Sequence, residues 1–256
     1  MDERSIQTGG EHLPPPVGAG PGRGSGDDAA APLNDPRALT ILTTEHWSLL
    51  SARSLVYNEA FARTGMFLTF LSASLVAMAL LSQAMGFDRD FLMFVAVILG
   101  FDLFIGLATL GRTSSASNED LRSIAGMNRI RHAYLELVPG LEPYFITSSY
   151  DDMLGVLSTY GEPTGEHPSF FLGFLHGLTT TDGMVSTITT VVAGILGGIV
   201  ALLVGAAPGL AIGVGFVSFA VLFLVLSRAG WRNFARFGAQ LGPRFPTPPR
   251  GPGERQ

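Results

Sequence analysis

The sequence predicts an all-α membrane protein with four transmembrane helices arranged as two hairpins, and with cytosolic helical extensions of the first hairpin. Four apolar stretches each match the roughly 20 residues that a helix needs to cross a bilayer. They span residues 65–85, 91–111, 184–206 and 209–227. Only the second stretch holds an ionisable residue. Short connections join the members of each pair, so we expect transmembrane hairpins over 65–111 and 184–227.

The arginines predict the orientation of the chain in the membrane. Every basic residue is arginine: five precede the first span, four lie in 112–183 and six follow the last span. The connection 86–90 has one arginine between two aspartates, and 207–208 has no charge. Arginine excess marks the cytoplasmic side. We therefore expect a multi-pass protein of the cell (inner) membrane, with both termini cytoplasmic and membrane lipid as its solvent.

The two ends of the chain have compositions unlike the spans. Residues 1–36 are rich in glycine and proline and lack the apolar core of a signal peptide. Such a segment buries too little surface to offset its ordering entropy, so it is predicted to be disordered. Residues 228–256 are predicted to form a basic, mostly disordered tail whose first aromatic and arginine residues suit the headgroup layer.

The segments that adjoin the first hairpin have helical periodicity. Residues 37–64 predict an amphipathic cytosolic helix that runs directly into the first span. Its apolar positions fall on two neighbouring stripes, Leu39, Leu42, Leu49, Val56 and Ala60, and Trp47, Leu50, Tyr57 and Phe61. A second helix should follow the second span and end at Pro139-Gly140. Its apolar stripe is Ile124, Met127, Ile130, Tyr134 and Leu137, opposite a cytosolic polar face of Arg122, Arg129, His132 and Glu136. We hypothesise that both helices form an antiparallel stalk about 35 Å long.

Residues 112–183, which include this second helix, are predicted to form a cytosolic helical insertion. Segment 169–178 is strongly apolar but too short to span, so it lies either in the membrane interface or against the base of the stalk. The insertion has nine acids and four arginines, a net charge of −5. That charge argues against nucleic acid as a partner.

Asp102 is the sharpest candidate for chemistry, because a carboxylate near the middle of a span is costly. Counted from the cytosolic span ends, it should lie level with Ser72, with Thr69 nearby. Two interpretations stay open for this intramembrane polar site: a proton-coupled or cation site, and a hydrogen bond that holds the hairpin together.

Glycines predict where the third and fourth spans pack. Gly194 and Gly198 form a GxxxG pair, and Gly205, Gly209 and Gly213 extend the small-residue spacing. Small residues let membrane helices approach closely. The contact is predicted within the second hairpin, with a homo-oligomeric interface as the alternative.

Familiar catalytic and metal-binding patterns are missing from the sequence. There is no cysteine, which excludes disulfides, thiol nucleophiles and thiolate metal sites. The five histidines lack HxxxH or HExxH spacing, and no Walker loop, dinucleotide fingerprint or GxSxG elbow occurs. We predict no catalytic residues, no cofactor and no metal. A polar set near the membrane edge, Glu59, Arg63, Arg112 and Glu119, is interpreted as surface ion pairs.

Two stretches resemble a known group of proteins. They are residues 42–53, Leu-Thr-Thr-Glu-His-Trp-Ser-Leu-Leu-Ser-Ala-Arg, and residues 126–136, Gly-Met-Asn-Arg-Ile-Arg-His-Ala-Tyr-Leu-Glu. They resemble uncharacterised bacterial (actinobacteria-type) multi-pass integral membrane proteins of unassigned function. The resemblance covers about 37–230 and implies an inner-membrane location and four spans, with no catalytic residues to transfer.

These observations favour a non-enzymatic membrane protein whose cytosolic helices self-associate as a homo-oligomer or bind an unknown cytosolic protein partner. The alternative is a small transporter or oligomeric channel that uses Asp102. A membrane enzyme is a third possibility, and only the polar set at the membrane edge favours it.

Overall fold

The structure, a computed structural model, describes residues 31–160 and 180–249. Over these ranges the chain is helical and has no strand. The α-helices are α1 (Ala38–Met85), α2 (Arg89–Leu137), α3 (Met153–Thr159), α4 (Thr181–Leu203) and α5 (Pro208–Gln240), with 3-10 turns at Ala31–Asn34 and Glu142–Tyr144. The chain divides into two compact units: the first ends at Ala38, and the second begins at Leu39 and contains everything described below.

Four of these helices, α1, α2, α4 and α5, are long and apolar enough to cross a membrane. This confirms the predicted all-α class with four candidate spans. Helix α4 ends at Leu203, three residues before the predicted end of its span. Gly205 then adopts a φ of +91°, a conformation that favours glycine, and Pro208 begins α5.

Helices α1 and α2 extend far beyond the predicted spans. They contain 48 and 49 residues, so each is about 70 Å long at ~1.5 Å per residue, more than twice the thickness of a hydrocarbon core. The predicted amphipathic helix and the first span are thus one continuous helix. The second extension ends at Leu137, as the Pro139-Gly140 signal predicts.

A tight turn connects α1 to α2. Gly86 has a φ of +73°, and the Asp88 carboxylate caps α2 by accepting the N–H of Phe91 at 2.9 Å. Beyond the turn, apolar side chains of the two helices pack together: Leu71, Met78, Leu81 and Met85 from α1, and Phe91, Val95 and Leu99 from α2. Helix α4 adds Val192 to this core.

The helices differ in how closely their backbones approach. Backbone approaches are close between α4 and α5 and between α2 and α4, whereas α1 meets its neighbours mainly through side chains. A Cβ placed on Gly106 of α2 would lie 2.6 Å from the Thr189 Oγ1 of α4, so the close α2–α4 contact requires glycine there. Helices α1 and α5 are the least buried of the four long helices.

A second apolar core lies beyond the predicted spans. It joins Leu121, Ile124, Ala125 and Met127 of α2 to Val156 of α3 and Phe237 of α5. Leu49 of α1 packs against its edge. Ile124, Met127 and Ile130 of the predicted apolar stripe of the α2 extension are therefore buried, and Tyr134 and Leu137 are partly buried.

The C-terminal part differs from the predicted, mostly disordered tail at 228–256. Helix α5 continues to Gln240 because Phe237, which is 4 % exposed, anchors it in the second core. Residues 244–247 are held by side-chain acceptors, so their proline-rich sequence is ordered without regular secondary structure. Three predictions fall wholly or mainly outside the described residues: the disordered segment 1–36, apart from its last six residues, the interfacial segment 169–178 and the end of the tail.

Candidate functional site

A partly buried polar cluster joins α1 to α2 beyond the predicted spans. The Asp120 carboxylate, almost fully buried, accepts the Arg53 Nε–H and, at 3.0 Å, the Tyr57 hydroxyl. The Tyr160 ring lies 5.7 Å from the Arg53 guanidinium. Burial opposes the charge on Arg53, but its bonds to Asp120 and Tyr57 outweigh that cost and raise the pKa of Arg53 above its usual value. This cluster fixes the axial register of the two helices.

Three of the four members of the polar set, Glu59, Arg63 and Arg112, form ion pairs as predicted, and Glu119 is in none of the ion pairs among the described residues. Glu59 accepts two hydrogen bonds from Arg112, at 2.9 and 2.8 Å, and one from Arg63 at 3.0 Å. The bonds from Arg112, then those from Arg63, lower the pKa of Glu59 to about 2. All three side chains are about half exposed, so the network contributes little to stability.

Asp102 is bonded to a different hydroxyl from the predicted one. Its Oδ1 accepts the Ser74 Oγ–H at 2.9 Å, and the side chain is 3 % exposed. Ser72 and Thr69 are exposed and donate instead to carbonyl oxygens of their own helix, both at 2.8 Å. The Oδ2 of Asp102 has no hydrogen-bond partner among the described residues.

Of the five predicted glycines, Gly194 and Gly198 lie in the contact between α4 and α5 and the other three do not, while the homo-oligomeric interface stays a prediction. A Cβ on Gly194 would lie 3.0 Å from the Phe219 Cβ, and one on Gly198 would lie 3.2 Å from the Ala211 carbonyl oxygen. The same construction at Gly205, Gly209 and Gly213 meets open space. Gly205 serves the turn, and the other two face away from α4. Gly215, which the spacing did not single out, also lies in this contact, because a Cβ on it would lie 2.9 Å from the Gly194 carbonyl oxygen.

The predicted polar face of α2 holds the C-terminal segment. Arg129 pairs with Asp151 at 2.7 Å, and the His132 ring stacks on Phe245 with the ring centroids 3.9 Å apart. Glu136 lies 3.6 Å from His132, and Arg122 remains exposed. Half of this face is therefore a docking surface.

Two adjacent aspartates complete that docking surface. Asp151, fully buried, accepts the backbone N–H groups of Arg244 and Phe245 at 2.9 and 2.7 Å. Asp152 caps α3 through the Gly155 N–H and also accepts the N–H and hydroxyl of Thr247. We call Arg129, Asp151, Asp152 and residues 244–247 the tail clasp.

Electrostatics favour the ionised form of the tail clasp. Burial opposes the charge on Asp151, but the two backbone N–H groups and Arg129 outweigh it, so the pKa of Asp151 lies below its usual range. The pair Asp151-Asp152 just before a short helix is a capping signal in the sequence. Nothing local in the sequence pairs it with a segment more than 90 residues away.

Neither of two cavities lined by described residues suits a polar small molecule. The first, about 60 Å³, lies between α1, α2 and α4 beside Tyr57, Asp120 and Asp182. It is much smaller than the roughly 300–1,000 Å³ of typical ligand sites. The second is an apolar groove of about 660 Å³ between α4 and α5, with no polar side chain to orient a ligand. In the described part of the chain no three metal-ligating side chains converge.

The two predicted stripes on α1 have different environments. Leu42, Leu49, Val56 and Ala60 are partly buried. By contrast, Leu39, Trp47, Leu50 and Phe61 are 57, 63, 40 and 61 % exposed. These four residues, which we call the outer face of α1, lie within an arc of about 80° at ~100° per residue. The charged residues of α1, at positions 45, 53, 59 and 63, all lie outside that arc.

No protein-family model, curated protein or solved structure matches this chain.

Proposed function

We propose that the chain is a non-enzymatic integral protein of the bacterial inner membrane that uses its cytosolic helices for protein association. Its four spans form two hairpins, and both termini and the segment 112–183 lie in the cytosol. The arginine distribution supports this orientation. In it, about 40 Å of α1 and α2 stands off the hydrocarbon core as a stalk.

The observation that carries this function is the outer face of α1. Its four large apolar side chains are exposed and lie before residue 65, where the first span begins. The lipid that covers the span therefore does not cover them. A straight helix that continues a span cannot also lie flat on the membrane. Contiguous exposed apolar patches larger than a few hundred Å² are rare on monomers and mark interaction sites, so a protein surface is the natural cover.

The rigidity of the stalk supports the same function. The Arg53–Asp120 cluster, the second core and the tail clasp join α1, α2, α3 and the end of α5. A face presented by a fixed scaffold loses little entropy when it binds.

Thiol labelling tests this function. Ser54→Cys places a thiol between members of the outer face, and Ser48→Cys places one on the opposite side of the same helix; both serines are exposed. In inside-out membrane vesicles we expect a membrane-impermeant maleimide to label position 54 much more slowly than position 48. Equal labelling rates would contradict a covered outer face. As a control, labelling is repeated after the membranes are diluted into detergent, which should make the two labelling rates equal.

A second candidate, a proton-coupled or cation transporter, is favoured by one observation. The buried Oδ2 of Asp102 has no partner among the described residues. A single hydroxyl bonded to Oδ1 is a sparse environment for a transport site, whereas it suffices for a packing bond. Ion flux into proteoliposomes that is lost on Asp102→Asn with assembly intact would favour this candidate instead.

A further inference from the structure

We propose that the partner of the outer face is a second copy of this chain, with α1 packed against α1 in parallel. This rests on the proposed function and names its partner.

The exposed face continues into the membrane. Leu75 and Val76 lie on the same side of α1 inside the first predicted span, and both are exposed. A partner that covers this whole face needs one helix that crosses the bilayer and projects from it to the same height. A second copy has such a helix, at the same depth and in the same orientation, because both copies insert the same way.

The charge of the face agrees with this partner. No charged residue of α1 falls within the arc of the outer face, and Arg53, Glu59 and Arg63 are engaged in ion pairs. Two copies can therefore meet without like charges opposing each other. An uncharged face gives no electrostatic attraction to a strongly acidic or basic protein.

The area of the face also suits such a pair. Aromatic side chains bury about 150–250 Å² each, so Trp47 and Phe61, at 63 and 61 % exposure, offer on the order of 100 Å² apiece. With Leu39 and Leu50, the face reaches about half of the roughly 800 Å² per partner of a stable interface. The membrane half of α1 can supply the rest.

Three serines allow a sharp cross-linking test, because the chain has no cysteine of its own. Ser54, Ser51 and Ser48 are exposed and lie successively farther from the centre of the outer face. Under copper-phenanthroline oxidation in native membranes, Ser54→Cys should give mostly disulfide-linked dimer, Ser51→Cys less and Ser48→Cys almost none. In this dimer the two thiols at position 48 would point away from each other and be separated by two helices, each ~10 Å wide. A disulfide requires a Cα separation of only about 4.4–6.8 Å, so they cannot form one.

A charge placed on the face provides a second test. Leu50→Glu in the Ser54→Cys background should abolish the dimer, because two glutamates would face each other. Leu55→Glu is the matched control, since Leu55 is exposed on the far side of the helix. It should leave the dimer intact.

Each pattern of results is decisive. Equal dimer at all three positions, or a maximum at position 48, would overturn the proposal. If position 54 is protected from maleimide but is not cross-linked, a different protein covers the face. In that case the proposed function stands and self-association is wrong. If position 54 is neither protected from maleimide nor cross-linked, the proposed function and self-association are both refuted.

Discussion

Asp151→Asn provides a direct test of the tail clasp. The native carboxylate is fully buried and accepts the N–H groups of Arg244 and Phe245 and the Arg129 Nε–H at 2.8 Å. The isosteric amide keeps one acceptor oxygen and turns an NH₂ toward at least one of these donors. The geometry is preserved, so the measured change reports the hydrogen bonds and the charge.

The expected loss follows from this geometry. A buried donor left without its acceptor costs about 1–3 kcal/mol, and bonds to a charged group contribute about 1.5–3 kcal/mol. Arg129 is nearly half exposed, so its share is discounted for solvent screening. We expect the docked segment to lose about 3 kcal/mol, which is about a 100-fold rise in its opening equilibrium at ~1.4 kcal/mol per tenfold.

Hydrogen–deuterium exchange measures this opening at the backbone amides of residues 244 and 245 in detergent micelles. Glu142→Gln is the control, because Glu142 is exposed and does not belong to the tail clasp. Exchange should accelerate in Asp151→Asn and not in the control. If both variants exchange like the parent protein, the clasp does not hold the tail.

Three further predictions concern pH, packing and the intramembrane hydrogen bond. The carboxylate of Asp151 in the tail clasp has a depressed pKa in the folded state. Its stabilisation of the docked segment is therefore present at neutral pH and is lost as the pH falls below about 4. Amide exchange of the tail at pH 3 against pH 7, corrected for intrinsic rates, checks this. Gly194→Ala should destabilise the protein by about 1–3 kcal/mol because its Cβ meets backbone on α5, whereas Gly213→Ala should be neutral in the same thermal unfolding assay. Ser74→Ala should weaken the α1–α2 contact at Asp102 and lower the unfolding temperature, while Ser72→Ala, which removes only a bond within its own helix, should not.

The parts of the fold that depend on local pattern could be predicted from the sequence. Span positions follow from runs of about 20 apolar residues, and the end of α2 follows from Pro139-Gly140. The apolar stripe of the α2 extension predicted burial because its 3.6-residue period is a local property. Each of these signals lies within one helix.

The candidate site could be predicted only in part. Counting residues gave the approximate depth of Asp102 but not which side of α1 faces it. Ser74 lies seven residues, about two turns, after buried Phe67 and therefore on the same side of α1. Ser72 lies on a different side of the helix. The stripe formed by Leu71, Met78 and Leu81 could have identified the correct serine.

The tail clasp had no comparable signal. The proline-rich composition of residues 242–249 predicts no regular structure, and that much is correct. The buried carboxylate that holds the segment belongs to a distant loop, and only the folded α2, α3 and α5 bring the two together.

The central claim, that α1 crosses the bilayer and projects into the cytosol, is tested most directly by impermeant-maleimide labelling along α1 and just past its end. We predict that a cysteine at position 48 is labelled only in inside-out vesicles, one at position 72 only after detergent, and one at position 87 only from the outside. Labelling of position 72 without detergent, or of position 48 from the external side, would contradict the account.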